Sequence, residues 1–281
     1  MFEYENGMAN RGKLYLTNEE LFDSGQMYLI KKGLKEGLDV SKYANPKFTF
    51  SQMEEIIVGL QDGLDVDTFA KPEFTWDQML QISLGLRKNI DVSLYNDIND
   101  DGQPLYTYWQ MKEIRQGLEA NVDATLYAKP DLDEFRMGLI KEGLIHGLDA
   151  SLYANPMFDF YQMRLIKRGL EEGIDVTSYA NPAFSEEQME QIREGIHYGI
   201  DETLYANPVF NFSQMLQIKE GLFDCVDAEI YANPAFNSLQ MEQIRIGLKD
   251  DLHVEVYAKP DIPEGQMREM RLKLMRGDVN E

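Results

Sequence analysis

Apolar positions along this chain recur with a period far longer than a helical turn. A Gln-Met pair or close variant stands at Met27, Met53, Met79, Met111, Met137, Met163, Met189, Met215, Met241 and Met267. Each spacing is 26 residues except the 32 between Met79 and Met111. The chain is therefore ten copies of one unit, the last truncated, with a single six-residue insertion. The unit reads F-[TSDN]-x-x-Q-M-x-x-I-x-x-G-L-x-x-G-L-D-V-x-x-Y-A-N-P-x. Self-similarity at such a period is the signature of a stacked repeat architecture.

Within a unit the polar and apolar positions predict a longer helix followed by a short one. In residues 184–208, Ser185 is placed to cap a helix, with Gln188 three residues later to complete a capping box. Phe184 before the cap and Met189 at the fourth helical position form a hydrophobic staple. Met189, Ile192 and Ile196 fall at i, i+3 and i+7, one apolar stripe. The helix should stop at Gly199, where left-handed backbone is wanted. That stop position is Gly in six copies, Asn in two, and Cys225 and Asp251 in the others.

The short helix should be capped by Asp201 and by its equivalents at positions 39, 65, 91, 123, 149, 175 and 227. It carries Tyr205 inward and ends before Asn207-Pro208, because a residue preceding proline disfavours helix. About 14 residues plus 6 with tight turns fill the unit. Neither helix buries its stripe alone, but stacked neighbours do, which predicts an all-α fold, an α-solenoid of ten two-helix repeats. The repeats start near 22, 48, 74, 106, 132, 158, 184, 210, 236 and 262, after a lead-in over 1–21 in which Thr17 to Glu20 has capping-box form. A single solenoid over 22–281 is expected, with one loop insertion near 97–104.

Three recurring columns read as packing. The interior glycines at 33, 59, 85, 117, 143, 169, 195, 221 and 247 each cost about 1 kcal/mol of helix propensity. Their retention predicts a neighbouring helix or tyrosine packed where a Cβ would clash. The methionine column reads as core, not as a metal or cofactor ladder. The tyrosine column (Tyr43, Tyr153, Tyr179, Tyr205) reads as buried packing, not as a platform for stacked bases. In the last copy Lys273 replaces the interior glycine, and Arg268, Arg271 and Arg276 join it, as befits a terminal repeat with a polar outer face.

Composition adds the charge. The 281 residues hold 49 Asp and Glu against 27 Lys and Arg, a net charge of -22, with 43% apolar residues to support a core. Such a surplus repels nucleic acid and anionic membranes and attracts basic partners. There is no apolar run of transmembrane length and no signal-peptide pattern at the start, and the single Cys225 excludes an intramolecular disulfide framework. A reducing, cytoplasmic setting is expected.

Enzymatic constellations are missing from the pattern. His146, His197 and His253 lie in different repeats without metal-ligand spacing, and no histidine neighbours Cys225. No phosphate loop or catalytic short motif occurs. Only the insertion carries a ligand-like pattern. Residues 97–102 read Asp-Ile-Asn-Asp-Asp-Gly, the first half of an EF-hand loop. Asp97, Asn99 and Asp101 would supply side-chain oxygens and Gln103 a backbone carbonyl, giving at most a weak calcium site, since Tyr108 stands where the bidentate Glu should be. No other cofactor is expected.

The acid concentrates in two repeats, residues 48–73 and 184–209, each with six acids against one base. These single out Glu54, Glu55, Asp62 and Asp67, and Glu186, Glu187, Glu190, Glu194 and Glu202, as partner-binding candidates. Ten stacked units at about 8–10 Å would span roughly 80–100 Å. The average charge density is then less than half that of duplex DNA, with its one charge per ~1.7 Å. That argues against mimicry of DNA along the whole length and leaves local mimicry by the two patches. A second candidate surface is an aromatic edge near the starts of the long helices: Trp76, Tyr108, Trp109, Phe160 and Tyr161.

Residues 163–182, MRLIKRGLEEGIDVTSYANP, and residues 189–208 carry a motif that resembles tandem repeats of poorly characterised proteins from bacterial mobile elements and phages. The resemblance covers about residues 22–276 and specifies a repeat, not an activity. It implies an intracellular helical scaffold, with counter-defence as one setting. By analogy with acidic proteins of such elements, it implies a non-enzymatic inhibitor that binds a basic, nucleic-acid-binding protein such as a restriction or CRISPR nuclease. The alternatives are a protein–protein scaffold with no nucleic-acid connection and a calcium-modulated binding module. Neither direct nucleic-acid binding nor membrane binding is expected.

Overall fold

The computed structural model describes residues 19–277. Nine of the ten described long helices open with a side-chain cap. In α1 (Ser24–Glu36), α2 (Phe50–Gln61), α3 (Trp76–Arg87) and α4 (Tyr108–Glu119) the caps are Asp23, Thr49, Thr75 and Thr107, each reciprocated by a glutamine three residues on. The same capping box opens α6 (Phe160–Glu171), α7 (Glu186–His197), α8 (Phe212–Phe223) and α9 (Ser238–Lys249). Asp133 caps α5 (Glu134–Ile145) without the glutamine, and α10 (Glu264–Arg276) follows Pro263 with no side-chain cap. No strand occurs among the described residues, apart from an isolated bridge between Ile98 and Pro104.

The helix stops fall where the pattern places them. Gly37, Gly63, Gly147, Gly173, Gly199 and Gly277 adopt positive φ, and so do the four non-glycine stops, Asn89, Asn121, Cys225 and Asp251. Cys225 and Asp251 hold φ of 57° and 58°, and Cys225, unlike Asp, Asn or Gly, has no special tolerance for this region.

The second helix is shorter than expected. In place of six helical residues there is a three-residue 3-10 turn, such as Val40–Lys42 or Ala228–Ile230, and around 177–179 and 203–205 only a turn. The long helices likewise run to 12 or 13 residues, not 14. The tyrosine explains the truncation. Tyr43, whose ring lies over Gly33 of the long helix, takes φ -132°, outside the helical region, and Asn45 to Phe48 then form a turn in which the Asn45 carbonyl accepts the Phe48 N–H at 3.0 Å. The cap aspartates are all in use: Asp39, Asp65, Asp91, Asp123, Asp149, Asp175, Asp201 and Asp227 each accept the backbone N–H two residues on.

The repeats form two compact units, the first ending at His146 and the second beginning at Gly147. In the first, α1 to α5 pack successively; in the second, α6 to α10 do. The methionine and isoleucine columns and the tyrosines (Phe69 in the second repeat) form the core. The tyrosine hydroxyl lies over the interior glycine of its own repeat: a Cβ on Gly33, Gly117 or Gly195 would sit 1.7 Å from it. In α10 only Met267 is buried, consistent with a terminal repeat. The lead-in at Thr17 lies outside the described residues; its described part, Glu19–Leu21, is a 3-10 turn.

The glutamine of the Gln-Met motif does more than cap. Its Oε1 accepts the cap residue's N–H, while its Nε2 donates to a carbonyl in the next repeat. Gln26 reaches Phe48 O at 2.6 Å, Gln110 reaches Leu132 O at 2.7 Å, and Gln188 reaches Phe210 O at 2.5 Å. One buried amide thus fixes the start of its own helix and the approach of the following chain.

Candidate interaction surface

Most of the acids singled out by composition are bound within the fold. Glu55 is only 7% exposed, accepts from Ser83 Oγ and lies 3.5 Å from Arg87. Asp62 pairs with Arg87 at 2.7 Å, and Asp67 with Lys42. In the second unit Arg193 bridges Glu190 at 2.7 Å and Glu172 at 2.5 Å, Arg168 approaches both, and Glu194 takes Lys219 at 2.8 Å. Arg193's hydrogen bonds hold the Glu190 carboxyl below the usual carboxylate range, despite partial burial. Glu186 lies 3.6 Å from Arg164. Glu187 accepts from Ser185 Oγ. Glu54, Glu187 and Glu202 have no ion-pair partner among the described residues. The two acidic runs thus largely tie one repeat to the next, Asp62 and Glu194 to a base 25 residues later and Asp67 and Glu186 to a base in the preceding repeat, while Glu190 pairs with Arg193 of its own helix.

The aromatic edge is placed differently. The position before the cap, expected to staple the helix, holds a buried residue in eight repeats, Phe48, Phe74, Tyr106, Leu132, Phe158, Phe184, Phe210 and Phe236, and a half-buried one at the ends, Phe22 and Ile262. The rings at the first and second helical positions are left outside. Trp76 is 42% exposed, Trp109 51% and Phe135 69%. Tyr161 is exposed as well, with Tyr108 and Phe160 half-buried beside their neighbours in edge-to-face pairs at 4.7 and 5.8 Å. The structure adds Phe50 in the first unit and Phe212 and Leu239 in the second. They were legible in the pattern: Phe50 and Phe212 stand at the register position of Trp76, and Phe135 and Leu239 at that of Trp109. Phe50 lies against Gly25 of the preceding helix, where a Cβ would approach its ring to 2.9 Å.

Three consecutive repeats of the first unit frame a groove of about 670 Å³ at their N-terminal ends, between Glu73, Tyr106 and Glu134. One wall is the insertion. Residues 97–105 close into a small hairpin: Asn99 Oδ1 accepts the N–H groups of Asp101 and Gln103, and the Gln103 carbonyl accepts Asn99 N–H at 2.8 Å. Asn99 and Gln103, two of the four expected calcium ligands, therefore direct their oxygens into the hairpin itself. No group of three or more His, Cys, Asp or Glu side chains fit to hold a metal is present among the described residues. Cys225 is exposed, and no described helix is long and apolar enough to cross a membrane.

Comparison with protein-family models, with curated proteins and with solved structures finds no match for this chain.

Proposed function

We propose that this protein is a helical-repeat binding module that docks a protein partner through the aromatic edge at the N-terminal ends of its long helices. The observation that carries the reading is the exposure of Trp76, Trp109 and Phe135 on successive helices of one unit, in a fold that buries its other aromatic columns. Tryptophan and its aromatic neighbours supply large contact area at low entropic cost and dominate interface energetics. The net charge of -22 favours a basic partner and speeds its approach.

A second reading is local DNA mimicry against a nucleic-acid-binding defence enzyme. It rests on the acids that stay outside ion pairs, Glu54, Glu187 and Glu202, and no longer on the full set. Quantitative pull-down separates the two. The Trp76→Ala/Trp109→Ala/Phe135→Ala protein should lose its partner, while Glu54→Lys/Glu187→Lys/Glu202→Lys should keep it. The opposite result, with elution by duplex DNA, would replace the first reading by the second.

A further inference from the structure

The groove beside the insertion has a chemistry of its own. At its helix N-termini Thr75, Thr107 and Asp133 accept the N–H groups of Gln78, Gln110 and Arg136, the third residues of α3, α4 and α5. The amides of Gln78 and Gln110, which also line it, donate inward to the carbonyls of Tyr106 and Leu132. What remains facing the groove is acceptor-rich. Glu73, Asp131 and Glu134 carry no ion-pair partner among the described residues, and Arg136 is engaged by Asp133 at 2.8 Å.

A smaller groove of about 280 Å³ adjoins it, shares Glu73 and Thr75, and ends at Trp76, with Lys47 on its far side. Rings along this edge accept cations where the chain supplies one three residues on. Lys112 lies 5.1 Å from the centre of the Trp109 ring, and Arg164 lies 5.2 Å from that of Tyr161. Trp76 stands one register position earlier: three residues on is the buried Met79, and Leu80 stands where Lys112 and Arg164 do, so neither position supplies a cation to that ring. An open aromatic face beside unpaired carboxylates suits a guanidinium, which stacks on a ring and pairs bidentately with carboxylate at once. Gln103, Pro104 and Leu105, the closing strand of the insertion's hairpin, line the groove.

We propose that this groove takes an arginine-rich extended segment of the partner, with guanidinium groups on Glu73, Asp131 and Glu134 and one stacked on Trp76. The inference rests on the aromatic-edge reading and names the occupant of that edge in the first unit.

The chain has two tryptophans, so Trp109→Phe leaves Trp76 as the sole tryptophan reporter in the full-length protein. Titration with hexa-arginine at low salt should change Trp76 emission saturably. Adding Glu73→Gln and Glu134→Gln should weaken the apparent affinity at least tenfold, while Glu264→Gln/Glu269→Gln, exposed acids of α10, should leave it within twofold. Far-UV circular dichroism checks that each variant folds. A response that does not saturate, or equal weakening by both acid pairs, overturns the proposal by showing only general attraction to negative charge. If the aromatic triple variant loses the partner yet hexa-arginine does not bind, the basic segment is wrong and the aromatic edge stands. If hexa-arginine binds at Trp76 and the triple variant keeps its partner, the groove's chemistry stands and the docking reading falls.

Discussion

Replacing Gly195 by alanine tests the central packing device. An alanine Cβ at this position would lie 1.7 Å from Tyr205 Oη and 3.0 Å from Cζ. Ordinary contact begins near 3.4 Å, so the hydroxyl would have to retreat by about 1.7 Å in a fully buried ring. Overpacking on this scale costs about 1–3 kcal/mol, and the clash is severe enough to place it at the upper end. Alanine recovers about 1 kcal/mol of helix propensity. The net expectation is a loss of about 2 kcal/mol, read as a fall of about 1 M in the urea midpoint for a slope near 2 kcal/mol/M. The hydroxyl is the cause under this reasoning, so Tyr205→Phe should rescue it. Tyr205 Oη has no hydrogen-bond partner, so its removal breaks nothing, and the nearest atom to the new Cβ becomes Cζ at 3.0 Å, which needs a shift of a few tenths of an ångström. In the second repeat a phenylalanine, Phe69, already stands at the tyrosine position opposite Gly59. The double-mutant cycle should show at least about 1 kcal/mol of coupling. If Gly195→Ala costs as much in the Tyr205→Phe background as beside the native tyrosine, the hydroxyl is not why glycine stands there.

Other outcomes follow from the same packing. Tyr231 Oη donates to the Gln217 carbonyl at 3.1 Å, so Tyr231→Phe should cost about 1 kcal/mol in urea unfolding, where Tyr205→Phe costs nothing. Cys225→Gly relieves a strained left-handed residue and should raise stability by about 0.5–1 kcal/mol; an unchanged or lower midpoint would contradict the positive φ. Gln188→Ala removes a capping bond and leaves the Phe210 carbonyl without its partner, for a loss of about 2–4 kcal/mol; a loss under about 1 kcal/mol would show that the amide does not tie the repeats. In the second unit burial pushes the phenols of Tyr179, Tyr205 and Tyr231 above their usual range and that of Tyr257 up to about 12. Their folded pKa values lie above the unfolded value near 10, so this stability is complete below about pH 10 and lost as pH rises beyond it. At pH 11 four phenols together remove about 5–6 kcal/mol, enough to threaten a marginally stable unit. Absorbance at 295 nm should therefore show these phenols ionising only together with loss of helical circular dichroism.

The architecture was legible because it is written in local rules repeated ten times. The box formed by Ser185 and Gln188, the stop at Gly199 and the inward Tyr205 each follow from a few neighbouring residues, and every copy repeats the same signal. The second helix was over-read because cap and proline mark its ends but not its backbone. Asp201 and Pro208 bracket the segment, while the turn of Tyr205 toward Gly195 depends on a contact ten residues back. The second duty of Gln188 escaped the pattern for a related reason. A capping glutamine looks the same whether its amide faces water or a carbonyl 22 residues on.

The candidate surface shows the opposite limit. Acid counts located Glu55 and Glu190, yet composition cannot tell an acid facing solvent from one facing Arg87 or Arg193. In a stacked array, exposed columns touch their own copies one period away, so a charged column is most easily consumed by the array. Aromatic residues at the first helical turn are not consumed in this way. The buried staple position just before the cap already fills the space beneath them, so a ring there stays partly exposed even where, like Phe50 against Gly25, it touches the preceding helix. A repeat protein's partner-binding residues are thus better sought where the consensus varies above a satisfied position, as at Trp76 above Phe74, than where charge is densest.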